Sequence, residues 1–255
     1  MIVFVAGMSR AGSMWTYNVV RAIYETRNLL VLPKEIPADE GNLITNALNS
    51  EVMENEVYCI KTHLPLKSPL PTRHEVKIIC NIRDVRDAAL SFMRFTHSDF
   101  EGGLNTMTLM MNITDHYLTK FRNNLLSIRY EDLTNNPQNV LEKVAAILNI
   151  GLSKGEKIEI LRKFSKASIQ KQLSSMKKIK LDAQGQVENK EQQSRFETVK
   201  NLDGTYRVYD KTTAFQSDHI TSTKSGEWKT QFGQNQIDRI DNMTKDWLLR
   251  YGYKV

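Results

Sequence analysis

The sequence predicts an α/β fold in which a doubly wound, mainly parallel sheet is flanked by helices. In the first 150 residues, short runs of β-branched and apolar residues alternate with segments whose apolar residues follow a helical period. The runs are too short for buried helices, and strands that alternate with helices form parallel sheets through crossover connections. A glycine-containing loop between the first run and the first helical segment agrees with this prediction.

Four apolar runs are predicted as buried strands, at residues 2–6, 57–61, 76–81 and 125–130. Helical periodicity predicts helices between and after them, at residues 15–26, 85–95, 107–122 and 137–148. After residue 150 we expect helices and no further strand. The first of these helices begins at the capping box of Ser153 and Glu156 and ends near Phe164.

Two segments after residue 175 differ from each other in their sequence pattern. Residues 176–200 are polar, poor in aromatic residues and mixed in charge, which is typical of a mobile surface segment. Residues 234–251 have the pattern of an amphipathic helix. Its core-facing residues are predicted to be Ile237, Ile240, Trp247 and Leu248.

Length and composition indicate a single domain over residues 1–255, since 40% hydrophobic content is ordinary for a chain that buries its own core. No apolar stretch approaches the roughly 20 residues that span a bilayer, and the N-terminal residues lack the pattern of a signal peptide. We therefore expect a cytoplasmic protein without membrane contact. Cys59 and Cys80 lie inside apolar runs, which favours buried thiols over a disulfide or a metal site.

Charge favours an anionic ligand. The 35 Lys and Arg residues exceed the 29 Asp and Glu residues, giving a net charge of +6, which suffices for a phosphorylated small molecule and does not require nucleic acid as a partner. The five histidines lack the spacing of zinc ligands, so no metal site is predicted. The oligomeric state stays open.

The stretch "GMSRAGSMWT", residues 7–16, resembles a phosphate-binding loop that lacks its lysine. Gly7 and Gly12 have the spacing of G-x-x-x-x-G-K-[ST], but Ser13 stands at the lysine position and Arg10 lies inside the loop. A loop between a strand and a helix surrounds one volume with backbone N–H groups, which favours an oxyanion. The missing lysine weakens a phosphoryl-transfer interpretation. The simplest alternative is a tight turn without a ligand.

The second and third predicted strands end in polar residues. Lys61 and His63, in "KTHLP", are two residues apart and so face the same side at the carboxyl end of a strand, where α/β sheets bind ligands. This places a cation and a candidate general base near the loop. Arg83 and Ser91, in "IRDVRDAALSF", can converge on a second anion. The alternatives are surface side chains and a structural salt bridge between Arg83 and Asp87.

Taken together, these segments resemble the sulfotransferases that use 3'-phosphoadenosine 5'-phosphosulfate (PAPS). "SRAGSMWT" is similar to the family's 5'-phosphosulfate loop, usually P-K-S-G-T-T-W, "KTHLP" to its catalytic strand end, and "IRDVRDAALSF" to its 3'-phosphate motif. "RYEDL" at 129–133 and "KSGEWK" at 224–229 match two further motifs, so the resemblance covers nearly the whole chain. It implies a P-loop-NTPase-like fold and a transfer reaction that needs no metal.

The resemblance also implies residue roles. Arg10 takes the place of the loop lysine, and the backbone N–H groups of Ala11, Gly12, Ser13 and Met14 hold the 5'-phosphosulfate. Further nucleotide contacts are implied for Trp15 and Ile169 at the adenine, for Arg83 and Ser91 at the 3'-phosphate, and for Tyr130 near the nucleotide. One departure stands out, since the family's R-K-G run is replaced by Thr221, Ser222 and Thr223. Hydroxyl and N–H groups of Ser222 and Thr223, together with Lys224, are expected to replace its contacts.

The resemblance implies that His63 removes a proton from an acceptor hydroxyl while Arg10 and Lys61 stabilise the sulfuryl oxygens and the departing phosphate. The acceptor is expected to be a small molecule, with an amine or a carbohydrate as alternatives. Cap or lid segments over the acceptor are expected at residues 92–121 and 176–220. Two other functions stay open at this point: a catalytically silent nucleotide-binding module and, more weakly, a kinase.

Overall fold

Five parallel strands form the central sheet of the computed structural model, which describes residues 1–36, 40–67, 70, 72–220 and 224–255. The strand order is β2-β3-β1-β4-β5. The strands are β1 (Ile2–Gly7), β2 (Leu30–Leu32), β3 (Glu56–Lys61), β4 (Val76–Ile82) and β5 (Leu125–Arg129). The predicted doubly wound α/β fold is confirmed.

Strand β1 lies at the centre of the sheet and is buried along its whole length. Its alternate residues belong to two hydrophobic clusters: Val3 and Val5 pack in one, and Ile2 and Phe4 pack in the other. Successive side chains of a strand point to opposite faces, so the clusters lie on opposite faces of the sheet. A strand covered on both faces has no polar side, which explains the continuous apolar run at the start of the sequence.

Helices cover both faces. The first cluster includes α1 and α6, and the second includes α3, α4 and α11. In chain order the helices are α1 (Ser13–Glu25), α2 (Gly41–Asn49), α3 (Val85–Thr96), α4 (Phe100–Lys120), α5 (Tyr130–Asn135), α6 (Pro137–Ile147), α7 (Lys154–Lys163), α8 (Lys166–Met176), α9 (Lys190–Gln193), α10 (Trp228–Gln231) and α11 (Gln234–Arg250). None of these described helices is both long and apolar enough to cross a membrane.

Several predicted local features are confirmed. Ser153 and Glu156 form the expected capping box at the start of α7. Ile240, Trp247 and Leu248 of α11 are buried, while Ile237 is partly buried against the same cluster. Cys59 and Cys80 are buried free thiols, and burial raises the pKa of both.

Other expectations were wrong. An antiparallel hairpin, β6 (Phe196–Lys200) and β7 (Tyr206–Asp210), follows residue 150, where no strand was expected. Part of the segment 176–200 is therefore regular, because α9 and β6 lie in it and β6 pairs with β7, a strand with four buried residues out of five. Strand β2 was missed because it has only three residues and pairs with β3 alone. Tyr130 begins α5 and does not end β5.

Candidate active site

A cavity of about 1240 Å³ opens where the loops after β1, β3, β4 and β5 meet. Most of the predicted site residues line it: Arg10, Gly12, Ser13, Met14, Trp15, Lys61, His63, Arg83, Ser91, Tyr130, Ile169 and Lys224. Ala11, a residue of the loop, is fully buried and its side chain does not line the cavity, which leaves its backbone N–H as the group that the resemblance invokes. Ser222 and Thr223 lie outside the described residues.

The loop after β1 depends on two glycines with positive φ angles, +103° at Gly7 and +88° at Gly12. A Cβ atom at Gly7 would lie 2.5 Å from the carbonyl oxygen of Asn81 on β4. Gly12 is the N-cap residue of α1, and no side chain caps this helix. The first N–H groups of α1 and the positive end of its dipole therefore point toward the cavity.

Arg10 joins two motifs that lie far apart in the sequence. Its Nε donates to Oγ of Ser91 at 3.1 Å, and its Nη2 donates to the carbonyl oxygen of His219 at 2.5 Å. The guanidinium carbon lies 4.3 Å from the ring centroid of Phe95. Burial, and then the nearby charge of Arg83, lowers the pKa of Arg10 to about 9. An anion bound here would raise the pKa of Arg10 again, because its negative charge favours the protonated guanidinium.

Arg83 is 3% exposed, and its Nη1 donates to the carbonyl oxygen of Arg10 at 3.1 Å. Its guanidinium carbon lies 4.0 Å from the ring centroid of Tyr130, while its Nε is buried without a hydrogen-bond partner. Within the described part of the chain, neither Arg83 nor Arg10 forms a salt bridge with a carboxylate. Buried guanidinium groups without a carboxylate are typical of anion sites.

The alternative salt bridge between Arg83 and Asp87 does not form. The Asp87 carboxylate accepts hydrogen bonds from the backbone N–H groups of Gly226, at 2.6 Å, and Trp228, at 3.3 Å. Burial raises the pKa of Asp87, and the hydrogen bond from Gly226 opposes that shift. Asp87 thereby ties helix α3 to the loop that follows Lys224. This role was not predicted from the sequence, although Asp87 lies in the same motif as Arg83 and Ser91.

Lys61 and His63 meet at the end of β3, as predicted, together with a carboxylate that was not predicted. Nζ of Lys61 lies 2.7 Å from Oε1 of Glu40, and the backbone N–H of His63 donates to Oε2 of Glu40 at 2.9 Å. Burial alone raises the pKa of Glu40, but the charge of Lys61 and these hydrogen bonds outweigh it and lower the pKa to about 2. No sequence signal marks Glu40, since it lies in an irregular segment far from Lys61.

The hydrogen bond of His63 defines its tautomer. Nδ1 lies 2.9 Å from the carbonyl oxygen of Gly7, and a carbonyl only accepts, so Nδ1 carries the hydrogen. The lone pair of the neutral ring is therefore on Nε2. Burial, and then the charge of Lys61, lowers the pKa of His63 to about 4, while Glu40 and the Gly7 carbonyl oppose that shift. His63 is consequently neutral at pH 7 and able to accept a proton.

The cavity lining also contains polar side chains from residues 131–138 and a set of aromatic side chains, here called the aromatic wall: Trp15, Phe92, Phe95, Phe164, Tyr209 and Phe215. Nε1 of Trp15 donates to the carbonyl oxygen of Phe164 at 3.1 Å, which orients the indole at the cavity wall. Of the two expected lid segments, 92–121 contributes Phe92 and Phe95. The other, 176–220, contributes Tyr209, Ala214, Phe215, Gln216, His219 and Ile220. Among the described residues, no group of three or more His, Cys, Asp or Glu side chains is arranged to hold a metal ion.

His219 was not predicted as a site residue. Its ring makes edge contacts with Phe95 and Phe215, at centroid distances of 5.6 and 6.0 Å. Burial holds the pKa of His219 well below its usual range, and Arg10 adds to that effect. Its ring thus extends the aromatic wall as a neutral group, while its carbonyl oxygen anchors Arg10.

Comparisons with known proteins give a matching family model and a set of similar folds. The sulfotransferase domain model matches residues 2–252. No curated protein sequence matches the chain. A retinol dehydratase, solved with androsterone and the inactive cofactor PAP, superposes with a TM-score of 0.61 at 18% identity, covering 97% of this chain and 80% of that one. The same enzyme with retinol and PAP gives a TM-score of 0.58 at 19% identity, with 97% and 81% covered.

Mouse sulfotransferase SULT7A1, solved with PAP, gives a TM-score of 0.61 at 17% identity, covering 97% of this chain and 83% of that one. At these identities the likeness concerns the fold. The five-stranded parallel sheet with flanking helices is thus the P-loop-NTPase-like fold that these proteins share.

Proposed function

Since this chain belongs to the sulfotransferase family, we propose that it transfers a sulfuryl group from PAPS to a hydroxyl of a small-molecule acceptor. One observation carries the proposal: two guanidinium groups without a carboxylate partner line the same cavity as a neutral histidine. The guanidinium groups suit an anionic donor, and the imidazole suits removal of an acceptor proton. The solved relatives were crystallised with PAP, which supports a donor of this nucleotide type.

Arg83 is the principal candidate for the 3'-phosphate. Its Nε is buried without a hydrogen-bond partner, which is costly unless a ligand supplies an acceptor. Ser91 is 5% exposed and lines the cavity beside it. Lys224 also lines the cavity, and Asp87 holds the backbone two residues further along the chain. Arg83, Ser91 and Lys224 would bind the 3'-phosphate in place of the family's R-K-G run, which this chain lacks.

The loop from Arg10 to Met14 is the candidate site for the 5'-phosphosulfate. The uncapped N-terminus of α1 supplies N–H donors, and the positive φ of Gly12 lets the backbone turn around an anion. Trp15 lines the cavity with an indole whose N–H is already bonded, so its ring is held for stacking on adenine. Ile169, on α8, is the candidate for the opposite face of the base.

For the chemical step, His63 Nε2 takes the proton of the acceptor hydroxyl as its oxygen bonds to sulfur. The bond between sulfur and the bridging phosphate oxygen breaks, and the nucleotide leaves with that electron pair. Arg10 and Lys61 line the same cavity as His63 and would stabilise the charge on the sulfuryl oxygens and on the departing phosphate. The reaction thus depends on positioning and on fixed positive charge.

The aromatic wall favours an acceptor with an apolar body. Phe95, Phe215 and Tyr209 line the cavity that also contains His63. The solved retinol dehydratase binds androsterone in one complex and retinol in another, which supports an apolar alcohol as the acceptor here. An amine acceptor would also lose a proton to His63, so the same arrangement suits transfer to oxygen and to nitrogen. The two kinds of acceptor must therefore be compared directly.

The test is a transfer assay with radiolabelled PAPS and a panel of apolar alcohols, phenols and amines. We expect labelled product with the wild-type protein. His63→Asn should lower its rate by roughly 10²- to 10⁴-fold, as for a lost general base, with little change in affinity for adenosine 3',5'-bisphosphate (PAP). A His63→Asn protein as active as wild type would refute the role of His63. Nucleotide binding without transfer to any acceptor would favour the silent module.

A further inference from the structure

Glu40 lies directly before α2 and bridges the two groups at the end of β3 that the transfer reaction needs. One carboxylate oxygen is 2.7 Å from the Lys61 ammonium, and the other accepts the His63 N–H at 2.9 Å. The side chains of Glu40 and Lys61 are only 21% and 14% exposed. Both oxygens are therefore engaged in a partly buried site at the cavity wall.

These contacts restrict the position of the Lys61 ammonium and of the main chain at His63. A lysine side chain has a long flexible stem, and an ion pair with low exposure restricts its ammonium to one region of the cavity. The hydrogen bond to the His63 N–H fixes the main chain just after β3, while Gly7 fixes the imidazole from the other side. Glu40 thus acts on the position of both Lys61 and His63.

Glu40 also balances the charge around His63. The groups that face His63 are Lys61 on β3, Arg10 in the loop after β1, His219 after β7, and Glu40 before α2. Lys61 and Arg10 disfavour a proton on His63, whereas the Glu40 carboxylate favours one. Its negative charge therefore offsets part of the repulsion that a protonated His63 would feel during transfer.

We propose that Glu40 is a positioning residue for sulfuryl transfer, which fixes the Lys61 ammonium and the His63 main chain in their working geometry. This inference rests on the proposed function, because Lys61 and His63 have a shared task only in that reaction. Glu40 does not serve as a binding site for an acceptor amine, since its two oxygens are already occupied by Lys61 and His63.

The first test compares Glu40→Gln, Glu40→Asp and the control Glu35→Gln. Glutamine keeps the size but loses the charge, whereas aspartate keeps the charge on a shorter stem. We expect Glu40→Gln to lower kcat by roughly 10- to 100-fold, as for a misplaced catalytic group, with little change in KM for PAPS or in PAP affinity. Glu40→Asp should recover part of the loss. Glu35, which pairs with Lys211 and is 67% exposed, should tolerate the change.

The second test does not depend on activity. NMR titration of the His63 ring, assigned by its absence in His63→Asn, should show a lower midpoint in Glu40→Gln than in wild type, because a favourable negative charge is lost. The same midpoint in both proteins would overturn the proposal, as would an unchanged kcat. If the midpoint moves but wild type transfers no sulfuryl group to any acceptor, the proposed function fails while the assigned contacts of Glu40 stand.

Discussion

Nδ1 of His63 lies 2.9 Å from the carbonyl oxygen of Gly7, so the candidate base is held by the last residue of β1, just before the loop that is proposed to bind the donor. The two residues are 56 positions apart and meet because β1 and β3 are neighbouring parallel strands. Their contact leaves the lone pair of the ring on Nε2. The geometry of the base is therefore linked to that of the anion site.

The pH profile of kcat/KM should reflect the low pKa of His63. An ordinary histidine, with a pKa of 6.5, would be half protonated near pH 6.5, but burial lowers the pKa of His63 to about 4. Because the base is active when neutral, we expect kcat/KM to stay nearly constant from pH 7 to about pH 5 and to fall as the pH approaches 4. A half-maximal value near pH 6.5 would show that His63 titrates normally.

Arg83→Met should weaken binding of PAP by about 2 kcal/mol or more, since it removes the guanidinium that we propose as a buried, charge-assisted partner of the 3'-phosphate. Binding of AMP, which lacks the 3'-phosphate, should change little. The matched control is Arg239→Met, because Arg239 is exposed, pairs with Glu101 and does not line the cavity. Isothermal titration calorimetry measures the affinities of wild type, Arg83→Met and Arg239→Met for both nucleotides. Equal losses of PAP and AMP affinity in Arg83→Met would contradict the assignment of Arg83 to the 3'-phosphate.

Charge at Arg10 should matter more than its shape. Arg10→Lys keeps a cation within the loop, and we expect it to retain transfer activity. Arg10→Met removes the charge beside the developing negative charge, and we expect a loss of roughly 10²-fold or more in kcat. Single-turnover kinetics with saturating PAPS separates this effect from binding. Similar rates for Arg10→Met and wild type would exclude an electrostatic role.

Asp87→Asn should loosen the loop around Gly226. The carboxylate accepts two backbone N–H groups, whereas an asparagine amide presents one acceptor and turns an NH₂ group toward the other donor. We expect the free energy of unfolding to fall by about 1–3 kcal/mol and PAP affinity to fall as well. Urea denaturation and calorimetry measure the two effects. An unchanged stability would mean that these hydrogen bonds contribute nothing net.

Gly7→Ala should be strongly destabilising. The φ angle of Gly7 is +103°, and the added Cβ would lie 2.5 Å from the Asn81 carbonyl oxygen. We expect a loss of about 3 kcal/mol or more in the free energy of unfolding. Gly155→Ala is the matched control, since nothing lies within 4 Å of its added Cβ and the residue is helical. It should leave stability equal or slightly higher. Equal stability of the two variants would contradict the account of the loop.

The sequence predicted the parts of the fold that depend on continuous local patterns. Strand β1 is apolar at every position because both faces are buried, and α7 begins at a capping box that is visible in four residues. The hairpin of β6 and β7 could not be predicted in this way. Strand β6 is mostly half-buried, and the buried strand β7 contains Arg207 and Asp210, so the pairing depends on tertiary contacts rather than on a local period.

The candidate site was predictable where its residues belong to motifs at strand ends and these motifs occur along the chain in the order that is typical of the family. Arg10, Lys61, His63 and Arg83 all line one cavity because parallel strands end at the same edge of the sheet. Glu40 and His219 lie in irregular segments, and neither spacing nor composition relates them to Lys61 or Arg10. Only the folded chain brings them into contact.

The most direct measurement is a calorimetric titration of the purified protein with PAP, compared with AMP and ATP. We expect tight binding of PAP and much weaker binding of AMP and ATP, because Arg83, a buried guanidinium, is proposed to bind the 3'-phosphate. This result would establish a nucleotide site that works without the R-K-G run. Equal affinity for PAP and AMP would contradict the account, because the site would then not distinguish the nucleotide of the sulfate donor.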